Sequence, residues 1–376
     1  MDHCAPGSRD AIERDLHAAR AAIADATVDA TTRQSQWGWW TQYAAECRID
    51  PWLRHCSRVR KQQTLLAFAA RVRTGFFGNK RQVGSQTVEK ALRSVAQTLV
   101  LAGYDDPRRS YGSKELDLPF SHLLRSLKTD DPAPKPQVAL PVATVEYAVA
   151  AATCAEATTR ANAVGDLIAI AFYFLLRVGE YTFPQRNRKT RTVQFRVEDV
   201  RFWNGDQRLP STASLPMLLQ ATSATLTIDN QKNGVRGATM HQEARPHEAT
   251  MCPVKALARR VHFIRQRAMP ESTPLSYLGL NDHVVSADIL SAVRQATVAT
   301  GLVAKGYKID RVGSHSLRAS GAMALKLNNV DTETIQKIGR WSGSTFLVYI
   351  HSQIGALNAG ISERMSTRIS FHNVGS

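Results

Sequence analysis

The most constraining feature of the sequence is a helix that is apolar on nearly all of its faces. Its apolar run from Leu167 to Leu176 is bounded by Asp166 and Arg177. A helix without a polar face must lie at the centre of a domain, and this run is too short to cross a bilayer. It ends in Arg177 and Glu180, and a charged pair at the end of a buried helix requires partners or a ligand. The sequence therefore predicts a core helix with a charged site at its end.

A proline-rich connector indicates more than one domain. The stretch from Asp130 to Pro136 carries three prolines, which favour an extended, semi-rigid segment. A chain of 376 residues is also long enough for two or three domains. We predict a helical extension over 1–30, a helical domain over 31–130 and a larger domain over 131–376.

The first two segments are predicted to be entirely helical. Residues 9–29 are rich in alanine and read as one helix. Residues 33–48 and 57–77 each carry an apolar stripe at helical spacing, and a third such stripe ends at Gly103. The stripes predict a small helical domain with its aromatic residues in the core.

The larger domain is predicted to be mainly helical with a small antiparallel sheet, an α+β arrangement. Residues 193–203 and 224–229 alternate as strands. The following Asn233-Gly234 pair is a strong hairpin signal, which places Lys232 at or beside a β-turn. Helices are predicted over 142–152, 159–176, 253–267, 287–301, 315–327 and 331–340.

The charge of the chain points to a polyanionic partner. The formal net charge is +16, and nucleic acid is the first candidate for such a basic protein. A membrane surface is second, but no basic amphipathic helix or transmembrane segment is present in the sequence. In the helical domain, five basic residues are predicted to contact DNA phosphates. They are Arg58, Arg60, Lys61, Lys80 and Arg81.

The cysteines favour a reducing compartment. The five of them are odd in number and form no Cys-x-x-Cys motif, so we predict free thiols and an intracellular location. A zinc site formed by Cys47, His55 and Cys56 is an alternative, but no second ligand pair follows at the usual spacing.

The last third of the chain places four chemically useful side chains close together in sequence. His315 and Arg318 are three residues apart and share a helical face. Trp341 and Tyr349 follow. Arginine matches phosphate geometry because its guanidinium donates through a fork, and a tyrosine can attack phosphorus if neighbouring groups help it lose its proton. Each residue alone is more often structural, but together with Arg177 and Lys232 they supply the cationic donors, the nucleophile and the acid that a side chain's attack on a phosphodiester requires.

This ordered set resembles the tyrosine recombinases, the phage integrase-like family. The match covers about 140–355, and the helical domain is similar in layout to the SAM-like core-binding domain of the family. The segment from Gly339 to Ile350 is most similar to recombinases of eukaryotic mobile elements, the Crypton and DIRS-like groups. The bacterial pattern more often has His in place of Trp341, and usually one more residue before the tyrosine.

The resemblance implies a DNA recombinase or integrase that needs no metal ion, cofactor or ATP. Arg177 and Arg318 would bind the scissile phosphate, with support from His315 and Trp341. Lys232 would protonate the leaving 5′ oxygen, with Lys189 and Lys255 as rival lysines. Tyr349 would form the 3′-phosphotyrosyl link, and Glu180 would orient Arg177.

The same resemblance implies partners and leaves two alternatives. The chain would bind double-stranded DNA as a homo-oligomer on paired sites, without a membrane, and would act in the nucleus if its host is eukaryotic. The alternatives are a type IB topoisomerase, which shares this set of residues, and a domesticated DNA-binding protein that has lost activity.

Overall fold

The computed structural model divides the chain into two compact units, Met1–Pro134 and Lys135–Ser376. It describes residues 30–78, 81–133, 138–154, 158–184, 192–228, 237–245, 250–313 and 315–341, together with the single residues 15, 247, 343 and 347. Apart from residue 15, the predicted helix over 9–29 lies outside this part, and so does the chain after 347. Among the helices described, none is both long enough and apolar enough to cross a membrane.

The N-terminal unit is helical, as the sequence predicted. Its helices are α1 (Ala30–Glu46), α2 (Arg58–Arg73), α3 (Ser85–Leu101) and α4 (Leu118–Thr129). Ser57 caps α2 through its side chain, which accepts a hydrogen bond from the Arg60 backbone N–H. The aromatic residues fill the core, since Trp40, Phe68 and Phe120 are fully buried. Burial of these large apolar side chains is what holds the four helices together.

The second unit is mainly helical with a four-stranded antiparallel sheet. Its helices are α5 (Val142–Ala152), α6 (Thr159–Tyr173), α7 (Val178–Tyr181), α8 (Leu215–Leu219), α9 (Pro253–Arg265), α10 (Ser286–Ala299), α11 (Ser316–Leu327) and α12 (Thr332–Gly339). The strands are β1 (Val200–Asn204), β2 (Gln207–Arg208), β3 (Ser223–Thr227) and β4 (Thr239–Glu243), in the order β2-β1-β3-β4, and a small hairpin pairs β5 (Tyr277–Gly279) with β6 (Asp282–His283). The mainly helical α+β prediction is confirmed.

The predicted core helix is α6, and it lies at the centre of the second unit. Every residue of α6 from Ala163 to Phe172 is buried. Helix α11 packs closely against it, because a Cβ added at Gly321 would lie 2.5 Å from the Phe172 carbonyl oxygen. The helix ends three residues before the predicted Leu176, and Leu175 takes a left-handed backbone conformation with φ of 48°. Arg177 follows in an extended conformation with φ of −80° and ψ of 144°.

The predicted strand over 193–203 is wrong in its first half. Residues Val197–Asp199 form a 3₁₀ turn, and β1 begins only at Val200. The Asp199 carboxylate accepts a hydrogen bond from the Arg196 backbone N–H at 2.8 Å, which stabilises the turn. Phe195 and Val197 are buried all the same, so the alternating apolar pattern reflects burial without a strand ladder.

The predicted hairpin is supported by the pairing of its two strands. Strands β3 and β4 run antiparallel with Leu226 opposite Met240 and Thr227 opposite Thr239. Lys232 belongs to the connection between them and lies outside the described residues.

A buried carboxylate in α6 predicts a pH dependence of stability. Asp166 Oδ1 lies 2.6 Å from Arg259 Nη2. Burial raises the pKa of Asp166 from 3.8 to about 6, although the positive charge of Arg259 acts to lower it. The folded protein therefore keeps a proton that the unfolded chain has released, and this contribution to stability is lost as pH rises from about 4 to 6. A difference of about 2 in pKa corresponds to roughly 3 kcal/mol at most.

Unfolding free energies of wild type and Asp166→Asn are compared at each pH. We expect their difference, wild type minus variant, to fall by up to about 3 kcal/mol between pH 4 and pH 7. Urea unfolding at four pH values measures this difference. Asp282→Asn is the matched control, because its side chain is 52% exposed. An unchanged difference between wild type and Asp166→Asn across this range would contradict the assignment.

Candidate active site

The charged end of the core helix forms a compact ion pair. Arg177 lies at the N-cap position of α7, and its backbone N–H donates to Glu180 Oε2 at 2.9 Å. Its side-chain Nη1 donates to Oε1 of the same carboxylate at 3.1 Å. The Glu180 carboxylate is buried, whereas the Arg177 side chain is 22% exposed. Glu180 thus holds a guanidinium that still reaches the surface.

Arg318 is a charged residue buried in the core of the same unit. It lies on α11 and is 1% exposed. Its Nη1 donates to the carbonyl oxygen of Leu175, and its Nη2 donates to that of Gly339. Because Leu175 lies two residues before Arg177, this hydrogen bond brings the two predicted phosphate-binding arginines to one loop.

The indole of Trp341 lies against Arg318. The guanidinium carbon of Arg318 is 4.2 Å from the centre of the indole ring, a cation–π contact. The ring also approaches Gly339 so closely that a Cβ there would lie 1.7 Å from it. Glycine is therefore required at 339 for Trp341 to reach the arginine.

His315 immediately precedes the first residue of α11. Its carbonyl oxygen accepts the Ala319 backbone N–H at 2.9 Å, and its side chain is half-buried. It lies one helical turn before Arg318 on the same element. The structure thus places His315 at the start of the helix that carries Arg318.

A further arginine, to which the sequence reasoning assigned no role, belongs to this cluster. Arg340 Nη2 donates to the Leu175 carbonyl oxygen at 3.1 Å and to Glu180 Oε2 at 3.0 Å. Burial lowers the pKa of Arg340, while Glu180 raises it. The Gly339-Arg340-Trp341 motif drew attention to its tryptophan, and nothing in the local sequence indicates that Arg340 reaches a loop 160 residues away.

Two of the predicted catalytic residues, Lys232 and Tyr349, lie outside the described residues, as does the rival Lys189. The other rival, Lys255, lies on α9 and is half-buried. Their proposed roles stay predictions. Within the described ranges, no three His, Cys, Asp or Glu side chains are grouped in a way that could hold a metal ion.

The predicted DNA-binding residues of the N-terminal unit lie at its surface where they are described. Arg60 and Arg81 are exposed and Lys61 is half-exposed, while Lys80 is outside the described part. Arg58 forms an ion pair with Asp117 at 2.6 Å. A DNA phosphate would have to compete with this carboxylate for Arg58, so Arg60 and Arg81 are the better placed for phosphate contact.

Comparisons with known proteins relate the chain to solved recombinases. No family model matches the chain, and no curated protein matches it. Among solved structures, it is similar to XerA recombinase over 94% of this chain and 99% of that one, with 15% identity and a TM-score of 0.38. It is also similar to the XerH site-specific recombinase bound to palindromic difH substrate, over 83% of this chain and 74% of that one, with 17% identity and a TM-score of 0.48.

The Tn1549 transposon integrase in complex with transposon right end DNA is a third structural neighbour. The similarity extends over 81% of this chain and 85% of that one, with 15% identity and a TM-score of 0.42. The names of these three neighbours state a recombinase, a site-specific recombinase and a transposon integrase.

Proposed function

We propose that the chain is a tyrosine recombinase, which cuts and rejoins DNA strands through a 3′-phosphotyrosyl intermediate during integration or excision of a mobile element. The observation that carries the proposal is the meeting of Arg177 and Arg318 at one loop. Arg318 lies 143 residues from its acceptor Leu175, and Arg177 is fixed by Glu180 beside the same segment.

The electrostatics of this cluster suit a phosphodiester. The described charged residues of the cluster are Arg177, Arg318, Arg340 and Glu180, and together they carry a net charge of +2. A phosphodiester carries one negative charge, and a second develops on its oxygens as an attacking oxyanion adds to phosphorus. Cations that are already fixed by hydrogen bonds stabilise such developing charge without reorganising during the reaction. Two carbonyl acceptors and one carboxylate supply that fixation here.

The proposed reaction balances within the protein and DNA. Tyr349 Oη attacks the scissile phosphorus, a new P–O bond to tyrosine forms, and the P–O5′ bond breaks. Lys232 gives a proton to the leaving 5′ oxygen, and His315 is the candidate base for the tyrosine proton. Attack by a 5′-hydroxyl of a partner strand reverses these steps and releases the tyrosine. The bond energy is conserved in the phosphotyrosyl link.

The charge of the chain supports duplex DNA as the partner. A net charge of +16 favours contact with many phosphates and a strong dependence of affinity on salt. Exchange of strands between two sites needs more than one tyrosine, so we propose that two or more copies assemble on paired sites. An intracellular location, and the nucleus in a eukaryotic host, follows from this substrate.

Capture of the covalent intermediate tests the proposed function. The substrate is a pool of duplexes of varied sequence that carry a nick beside each potential cleavage position, so that a short 5′-hydroxyl fragment diffuses away after cleavage. Wild type should form a protease-sensitive adduct with the strand that retains the 3′-phosphate, and Tyr349→Phe should form none. Binding without an adduct would favour the inactive DNA-binding alternative. Relaxation of supercoils without exchange between two sites would favour the topoisomerase.

A further inference from the structure

We infer that Arg340 is a positioning residue that sets the relative placement of the two phosphate-binding arginines. The inference rests on the proposed function, because it concerns the same site. It goes beyond that function in assigning a task to a residue outside the predicted catalytic set.

The contacts of Arg340 link the supports of both arginines. Its Nη2 donates to the Leu175 carbonyl oxygen at 3.1 Å, the acceptor that Arg318 Nη1 also uses. The same Nη2 donates to Glu180 Oε2 at 3.0 Å, on the carboxylate whose Oε1 accepts Arg177 Nη1 at 3.1 Å. Nη2 of Arg340 therefore bridges the Glu180 carboxylate, which holds Arg177, and the Leu175 carbonyl oxygen, which holds Arg318.

The backbone at Arg340 indicates that its side chain is needed there. Arg340 ends α12 in a left-handed conformation with φ of 57°. Glycine adopts this conformation most readily at the end of a helix, and a residue with a Cβ does so at an energetic cost. The side-chain contacts of Arg340, which glycine cannot make, offset part of this cost.

The burial of Arg340 is also poorly explained by stability alone. Its side chain is only 8% exposed. Within the described part of the chain, its Nε and Nη1 are buried without a hydrogen-bond partner. Burying a charged group with unpaired N–H donors is unfavourable, which points to a benefit for the site rather than for folding.

The neighbours of Arg340 in sequence bear on the same site. The carbonyl of Gly339 accepts Arg318 Nη2, and the ring of Trp341 lies against the Arg318 guanidinium. The segment 339–341 therefore makes two contacts with Arg318 and one contact with Glu180. A shift of this segment would move both phosphate-binding groups together.

Single-turnover cleavage of the nicked substrate tests the inference. Arg340→Gln should slow adduct formation about 10- to 100-fold, the usual effect of losing a group that orients a reacting one. The dissociation constant for DNA should change less than about threefold, since one buried side chain contributes little to many phosphate contacts. Arg265→Gln is the matched control, because Arg265 pairs with Glu271 at 2.8 Å on the surface of the same unit, and its cleavage rate should stay within about twofold of wild type.

Two further variants separate positioning from a merely structural role. If Arg340 acts through Glu180, the double variant Arg340→Gln/Glu180→Gln should be no slower than the slower single variant, because coupled residues are not additive. Arg340→Gly should unfold at higher urea than Arg340→Gln, since glycine accepts the backbone conformation, yet it should cleave as slowly. Arg340→Lys, which keeps the charge, should recover part of the rate.

The outcomes distinguish the inference from the proposed function. If wild type forms no adduct, the proposed function fails and the inference fails with it. If wild type forms the adduct and Arg340→Gln cleaves within twofold of it, only the inference is overturned. The inference is also overturned if the losses of Arg340→Gln and Glu180→Gln multiply, or if the rates of the three Arg340 variants simply follow their stabilities.

Discussion

Arg318→Ala is expected to abolish detectable cleavage and to destabilise the second unit by about 2–4 kcal/mol. The catalytic loss should reach at least about 10³-fold, the range seen when a preorganised donor to a developing oxyanion is removed. The stability loss follows from burial. Arg318 is 1% exposed, and its removal leaves a cavity and takes a donor away from the Gly339 carbonyl. The Leu175 carbonyl keeps Arg340 as a donor, which limits the damage.

Two variants separate the catalytic part of this loss from the structural part. Arg318→Lys keeps the charge but cannot reach both carbonyl groups through a planar fork, so it should be more stable than alanine and still about 10²-fold slow in cleavage. Arg318→Met fills the space without charge and should be as inactive as alanine. Urea unfolding gives the stabilities, and single-turnover adduct formation gives the rates. Cleavage by Arg318→Ala above a tenth of the wild-type rate would show that this arginine does not serve the reaction.

Arg177→Ala should lower the cleavage rate about 10²- to 10³-fold with little loss of stability. The Arg177 side chain is 22% exposed, so its removal opens the site rather than a core cavity. Glu180 does not become an unpaired buried charge, because Arg340 and the backbone N–H at 177 still donate to it. We therefore expect the unfolding free energy to change by no more than about 1 kcal/mol.

The affinity for DNA provides the control for Arg177. Loss of one phosphate contact among many should weaken binding only a few-fold. The slope of log affinity against log salt concentration should become shallower by about one. Arg265→Ala removes an arginine–glutamate pair from the surface of the same unit and should leave the cleavage rate within about twofold. Equal losses of rate and affinity in Arg177→Ala would mean that this residue only holds the DNA.

The sequence predicts the helices of this protein well because their apolar residues recur at helical spacing and their ends carry recognisable signals. Helix α5 has the predicted limits, and α12 begins one residue after the predicted Asp331, whose carboxylate caps it by accepting the Thr334 backbone N–H. The strand over 193–203 was overextended because alternating burial of Phe195 and Val197 does not require a ladder. Local sequence could not show that Asp199 closes a turn there instead.

Some residues of the candidate site could be predicted from the sequence, and others could not. The segments of Arg177, Arg318 and Trp341 could be recognised because they carry motifs that resemble those of the tyrosine recombinases. In the structure, Arg318 donates to the Leu175 carbonyl two residues before Arg177, and Trp341 lies against Arg318. Arg340 was missed because its task depends on a left-handed helix end and on contacts with Leu175 and Glu180 more than 150 residues away. Neither feature has a local signal, since both arise only when α6, α11 and α12 pack together.

The most direct measurement of the proposed function identifies the residue joined to DNA. The adduct formed by wild type on the nicked duplex pool is digested with nuclease and protease, and the modified peptide is sequenced by mass spectrometry. We predict one peptide carrying a 3′-nucleotide on Tyr349, and no such peptide from Tyr349→Phe. A nucleotide on any other residue, or binding to the whole pool without a covalent product, would contradict the proposal that this chain cuts and rejoins DNA through Tyr349.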